Sequence, residues 1–267
     1  MLAACALVAP GTARADVTLP ALFSDHMVLQ RGVAVPVWGW AEAGEKVAVS
    51  FGAQTKSTKA GADGKWSVKL DKLSVGEPAA LTVKGANTIT INDVLVGEVW
   101  LCSGQSNMGF HVMQAENFEQ EKTAADHPKL RMFTDASGAA TEPQERGKGT
   151  WVVCTPETVG PFSATAYFFG RDLQAKLDVP VGLVHSSVGG TPIEAWTSME
   201  AQKDVPEVKF IFDRWAKNIA TWDEAKAQEV YEKNKAGYPA LAEKAKAEGK
   251  PAPRPPAPPL EIGRAHV

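Results

Sequence analysis

Val94-Leu95-Val96-Gly97-Glu98-Val99-Trp100-Leu101-Cys102-Ser103-Gly104-Gln105-Ser106-Asn107-Met108-Gly109 is the stretch that decides the fold. Val94 to Leu101 is apolar except at Gly97 and Glu98, the pattern of a strand covered on both faces. It runs straight into a small, polar, glycine-containing turn. Downstream, Ser163 to Leu177 carries Ala166, Phe169, Leu173 and Leu177 at helical spacing, with Ser163 or Thr165 placed to cap its start. Pro180 follows, then the apolar run Val181 to Val184, then Ser186-Ser187-Val188-Gly189-Gly190-Thr191. Strand, helix, strand in that order predicts a parallel α/β layer.

Upstream the character is different. Short β-rich runs recur at Val35–Trp40, Lys46–Phe51, Lys65–Leu70, Ala80–Val83 and Asn87–Ile91. Turn residues separate them, among them Asp63-Gly64, a good hairpin signal because glycine reaches positive φ cheaply. Residues 16–94 therefore read as a small all-β sandwich domain. Trp38, Trp40 and Trp66 could form a sugar platform, but core packing is the preferred reading for large aromatics in so small a sandwich. Residues 95–250 read as a second, α/β domain. Its segment 198–248 is rich in Ala, Lys and Glu, and is expected to be a helical insertion broken near Gly237-Tyr238-Pro239. Trp215, Trp222 and Tyr231 are expected to pack that insertion. Residues 251–267 are a Pro-rich segment followed by a tail.

Bulk composition narrows the function. Lys and Arg total 28 against 31 Asp and Glu, for a net charge of −3. No concentrated basic face is implied, so neither nucleic acid nor an anionic membrane is an expected partner. The five histidines are scattered and Cys102 and Cys154 lie far apart, so neither a metal site nor any other cofactor is expected. Leu2 to Ala9 is a short apolar run followed by Ala13-Arg14-Ala15, the small-x-small pattern of a signal-peptidase site. Residues 1–15 are thus expected to be a signal peptide, and the mature protein to be secreted or periplasmic without a membrane span. An oxidising compartment would permit Cys102 and Cys154 to pair, and spacing alone leaves two buried thiols equally open.

In an open α/β sheet, ligands bind beyond the carboxyl ends of the strands. Gly104-Gln105-Ser106-Asn107 and Gly189-Gly190-Thr191 both sit at that edge. One hydroxyl with convergent backbone N–H donors is the minimum for acyl transfer through a tetrahedral oxyanion. A helix starting at Ser106 would strengthen the site. Two tight polar turns with no chemistry is the alternative that spacing alone cannot remove. His185, just before the second loop, reads as a strand-end residue rather than a base.

Gly104-Gln105-Ser106-Asn107-Met108 after Val99-Trp100-Leu101-Cys102 resembles the nucleophile block of sialate O-acetylesterases, a branch of the SGNH hydrolases. Leu22-Phe23-Ser24-Asp25-His26-Met27-Val28-Leu29-Gln30-Arg31 resembles the opening of that family. Asp63-Gly64-Lys65-Trp66, Asp93-Val94-Leu95-Val96-Gly97-Glu98, Phe162-Ser163-Ala164 with Ala166-Tyr167-Phe168-Phe169, and Gly189-Gly190-Thr191-Pro192-Ile193-Glu194-Ala195-Trp196 match it too. The resemblance runs from about Leu19 to Trp196. It implies an SGNH-type three-layer parallel sheet, here incomplete, and a serine esterase that deacetylates sugars. Ser106 would be the nucleophile; the N–H groups of Ser106 and of Gly190, or Gly189 beside it, would form the oxyanion hole. Gln105 and Asn107 would support the turn, and an acetylated glycan would be the substrate.

The departures carry equal weight. The family's Trp-Tyr-Gln-Gly-Glu and Asp-x-His blocks do not occur in this sequence, and His26, His111, His127 and His266 stand outside any Asp-x-His context. Glu261-Ile262-Gly263-Arg264-Ala265-His266-Val267 reads like a translated sequencing adapter, so an interrupted gene is expected, and with it little or no esterase turnover. An acetyl-xylan-type esterase on the same scaffold and a non-catalytic carbohydrate-binding protein are the competing readings.

Overall fold

A computed structural model describes residues 16–137, 143–256 and 258–259. The expected signal peptide at 1–15 and the tail at 261–267 lie outside the described residues. The chain forms two compact units, one from 16–137 with 145–191, the other from 192 onward with the described residues of 138–144.

The first unit is built on one long strand. Among the described residues the strands run β1 (Val28–Gln30), β2 (Val35–Trp40), β3 (Lys46–Phe51), β4 (Gln54–Lys59), β5 (Lys65–Leu70), β6 (Ala79–Lys84), β7 (Thr88–Gly104), β8 (His127–Thr134), β9 (Trp151–Cys154) and β10 (Val181–Ser187). The larger sheet has the order β4-β3-β6-β7-β10-β8-β9, with β1 beside β7; β2 and β5 form an antiparallel ribbon. Where β7 begins it pairs antiparallel with β6; from Leu95 it pairs parallel with β1, and from Glu98 to Gly104 parallel with β10. β10 is parallel to β8 in turn. The chain is therefore mixed α/β with a parallel centre, and the sandwich boundary expected near residue 94 falls inside a single strand.

Alternation explains the first half. The buried residues of β2, β3, β5 and β6 (Val35, Val37, Val47, Val49, Trp66, Val68, Leu70, Leu81 and Val83) share one core. Trp38 meets Phe23 edge-on at 4.8 Å between ring centroids, and the Arg146 guanidinium sits 4.1 Å over Trp40. Trp66 is buried in that core and Trp38 packs against it, while all three indoles also line one cavity with Pro36 and Lys65.

The second core gathers Cys102, Leu130, Met132, Val181 and Leu183 beneath helix α2 (Ala164–Leu177). An earlier helix, α1 (Phe118–Ala124), lies on the connection to β8. Ser163 caps α2, its Oγ accepting from the Ala166 N–H at 3.2 Å, an arrangement typically worth about 1 kcal/mol. Gly97 has a specific cause: a Cβ there would run into the Pro180 carbonyl oxygen, which accepts the Glu98 N–H at 2.9 Å.

Two expectations need correction. Coverage of β7 on both faces holds for Val94 to Gly97, but Trp100 is 44% and Leu101 70% exposed. The reason is that α2 packs on β10 and β8, leaving Trp100 with the α2 ring of Phe169 edge-on at 5.1 Å. Cys102 and Cys154, whose pairing the sequence left open, are both free buried thiols.

The second unit is helical: α3 (Met199–Gln202), α4 (Lys209–Ala220) and α5 (Glu224–Ala247). The break expected near Gly237-Tyr238-Pro239 is absent, and α5 runs through Pro239. Proline removes one intrahelical bond, but no residue of α5 is buried, so the Lys235 carbonyl that loses its donor can turn to water. Ile211 is buried in α4, and Trp215 lines an apolar groove with Met199, Phe212 and Ile219.

Candidate active site

The carboxyl ends of β7 and β10 lie in register, with Cys102 opposite His185, Ser103 opposite Ser186 and Gly104 opposite Ser187. The Val188 N–H extends the ladder to the Gly104 carbonyl at 3.1 Å. Both predicted loops therefore leave neighbouring strands at the same rim.

The first loop is one hydrogen-bonded turn, closed by the Gly109 N–H on the Gln105 carbonyl at 2.9 Å. No helix starts at Ser106. The chain is drawn instead into an extended pairing with the start of α2, the Val112 N–H bonding the Phe162 carbonyl and the Ala164 N–H the Phe110 carbonyl. The turn is tied to α2 again where Thr165 Oγ1 donates to the Asn107 carbonyl at 2.9 Å. Asn107 thus supports the turn through its backbone. The Ser106 side chain is exposed to solvent.

Three donors converge on a single atom. Gln105 Oε1 accepts from the Ser106 N–H at 2.9 Å, from the Ser106 hydroxyl at 2.7 Å and from the Gly190 N–H at 3.3 Å. Gly190 has φ +81°, a conformation that glycine adopts without strain. Gly189 lies as close: a Cβ built on it would stand 3.5 Å from Ser106 Oγ. The arrangement presents a hydroxyl and two backbone amides to one small volume. That can stabilise negative charge on a carbonyl oxygen attacked by Ser106.

No histidine among the described residues is hydrogen-bonded to Ser106. His185 is buried on β10, and its Nε2 pairs with Ser187 Oγ at 2.8 Å. Burial, and then the neighbouring His111, hold its imidazole below the ordinary histidine value. The Ser187 contact was not foreseen; its signal was the Ser-Ser pair ahead of Gly189-Gly190. His26 Nδ1 bonds Asp93 Oδ2 at 2.7 Å, and Arg131 Nη1 bonds the same oxygen at 2.6 Å. This Asp–His pair resembles a catalytic dyad, but it lies at the opposite end of the parallel stretch of β7. The eleven steps from Asp93 to Gly104, at about 3.3 Å each, put it about 36 Å away. His127 Nε2 is buried without a partner. Among the described residues no His/Cys/Asp/Glu cluster could hold a metal ion, and no helix is long and apolar enough to cross a membrane.

Comparison with known proteins gives the family. Residues 96–230 match the carbohydrate esterase family described as sialic acid-specific acetylesterase. A sialate O-acetylesterase of Rattus norvegicus is 36% identical over 200 residues, covering 67% of this chain and 37% of that protein. The Homo sapiens sialate O-acetylesterase is 37% identical over 202 residues, covering 67% of this chain and 38% of its own length. The chain therefore spans well under half the length of these relatives. A crystal structure of a novel carbohydrate acetylesterase from Xanthomonas citri superimposes with a TM-score of 0.68 at 40% identity. The match covers 70% of this chain and 44% of that one.

Proposed function

Since the chain belongs to the carbohydrate esterase family of sialic acid-specific acetylesterases, we propose that it carries the nucleophile of a carbohydrate O-acetylesterase, Ser106. The observation that carries this reading is the convergence of the Ser106 N–H, the Ser106 hydroxyl and the Gly190 N–H on one oxygen. Ser106 Oγ forms a bond to the acetyl carbonyl carbon and gives up its proton. The carbonyl oxygen becomes an oxyanion held by the Ser106 and Gly190 amides, with Gly189 letting the loop approach. Collapse breaks the bond to the sugar oxygen, which leaves with a proton. Water then attacks the acetyl-serine, releasing acetate and restoring the hydroxyl. Removing one such amide donor typically costs about 3–4 kcal/mol of transition-state stabilisation.

The substrate class is an acetyl ester on sialic acid or a related glycan. We read the parallel strands as part of an SGNH three-layer sheet, and residues 16–94 as its sandwich domain. The small-x-small motif Ala13-Arg14-Ala15 supports export.

Ser106 needs a base, and no histidine among the described residues is hydrogen-bonded to it. In a serine protease, loss of the base lowers turnover by on the order of 10⁶. The chain of 267 residues should therefore hydrolyse an aryl acetate no faster than its Ser106→Ala variant does. Robust hydrolysis lost on that substitution would show that a base is present after all. A panel of acetylated sialic acid against acetylated xylan, run on a form that turns over, separates the two sugar classes.

A further inference from the structure

Gln105 does more than brace the turn. Its Oε1 is where the oxyanion of the proposed reaction would sit, taking the Ser106 N–H, the Ser106 hydroxyl and the Gly190 N–H together. The end of its side chain, a methylene bearing a carbonyl and an amide nitrogen, has the outline of an acetyl ester: a methyl, a carbonyl and an oxygen. The hole is thus filled by an acyl surrogate of the protein's own. With its hydroxyl proton on that oxygen, Ser106 points at the surrogate rather than toward a base. An amide is a poor electrophile, so the surrogate occupies the place without reacting.

We propose that Gln105 is a built-in competitor for the acyl site, which an entering acetyl group must displace. This rests on the acyl-transfer reading of Ser106. The side chain is exposed and lies on the rim, so it can swing out without unpacking a core. Displacement exchanges the same donors from one acceptor to another, so Gln105 taxes every acyl ligand and sets apparent affinity rather than the chemistry. A residue that merely stiffened the turn would act with the opposite sign, since its removal would loosen the amides and weaken binding.

The two amides can be read directly. In ¹⁵N–¹H spectra of the labelled chain titrated with sodium acetate, the reaction product, the Ser106 and Gly190 amides should shift together. Gln105→Ala should bind acetate at least about tenfold more tightly, the scale expected when a competing hydrogen-bonded acceptor is removed. Gln105→Met keeps the methylenes without the acceptor and should tighten binding likewise, which guards against a variant that folds badly. Gln105→Glu places a carboxylate in the hole and should weaken acetate binding below that of the parent at pH 7. Unchanged or weaker binding in both Gln105→Ala and Gln105→Met overturns the competitor while leaving the acyl site standing. If neither amide responds to acetate in any form, the acyl-site reading falls and the competitor with it.

Discussion

Asp93→Asn is the substitution that best separates structure from catalysis here, because Asp93 looks catalytic and the fold says otherwise. Asp93 stands in the left-handed region at φ +53°, which asparagine tolerates well, so the change adds no backbone strain. What it removes is the carboxylate facing Arg131, whose side chain is only 5% exposed. Cutting one partner from a fully buried ion pair costs about 3–5 kcal/mol. Two features lower that figure. Asp93 is itself 32% exposed, and Arg131 keeps the carbonyls of Pro128 at 2.8 Å and His26 at 3.3 Å. The loss is then that of a charge-assisted hydrogen bond, about 2 kcal/mol, or a melting temperature lower by about 4–8 °C for a chain of this size. Urea unfolding followed by tryptophan fluorescence measures it, and Asp93→Asn with Arg131→Met should recover most of it. The pH dependence gives a second reading. Arg131, then His26, hold the Asp93 carboxyl below its ordinary value. Its contribution is therefore present above about pH 4, the unfolded value, and lost as pH falls further. Asparagine should flatten that acid arm. A variant within about 0.5 kcal/mol of the parent, or an unchanged acid arm, would refute the ion-pair reasoning. Loss of the acetate response at Ser106 in a folded Asp93→Asn chain would refute the claim that the pair is remote from the chemistry.

Two further outcomes follow from buried groups on β7, β9 and β10. His185 is held below its ordinary value in the fold, so the unfolded chain takes up its proton first, near pH 6.5, and stability is lost as pH drops below that point. His185→Asn should flatten the stability profile just below about pH 6.5; an unaltered slope there would show that another group carries it. Cys102 and Cys154 are pushed up to about 11 and about 12, in both cases chiefly by burial. At pH 8 both are thiols, so native-state alkylation by iodoacetamide should proceed no faster than the unfolding that exposes them; fast labelling of Cys102 in the folded chain would contradict its burial.

The elements that could be read from sequence were those whose signal is local. Val35–Trp40 and Lys65–Leu70 alternate, and both appear as strands with those bounds. Ser163 announced its cap. The strand β4 was missed because Gln54-Thr55-Lys56-Ser57-Thr58-Lys59 has no apolar face at all; it alternates only between half-buried and exposed and is held by pairing with β3. The strand β8 was not among the predicted runs, because His127, Pro128, Lys129 and Arg131 break its apolar pattern; in the fold Asp93 neutralises the arginine. Pro239 misled in the other direction, since a helix with no buried face can open one carbonyl to water. At the site, small residues and glycines after apolar strands located Ser106, Gly189 and Gly190. The Gln105 contact lay beyond reach because it depends on which residue of β10 stands beside which residue of β7.

That register ties the chemistry to the fold. Parallel neighbours lie about 4.8 Å apart, and a slip of one residue would carry a loop about 3.3 Å along the strand while turning its amides to the other side. The Gly190 N–H meets Gln105 Oε1 at 3.3 Å, so a single slip would separate the two loops. The register is pinned seven residues upstream of Gly104, where Gly97 lets the Pro180 carbonyl approach and the Glu98 N–H seizes it at 2.9 Å. Every pairing from Val181 opposite Glu98 to Ser187 opposite Gly104 follows from that contact. A glycine inside an apolar strand, costly to the strand by itself, thus determines which two amides share an oxygen at its far end.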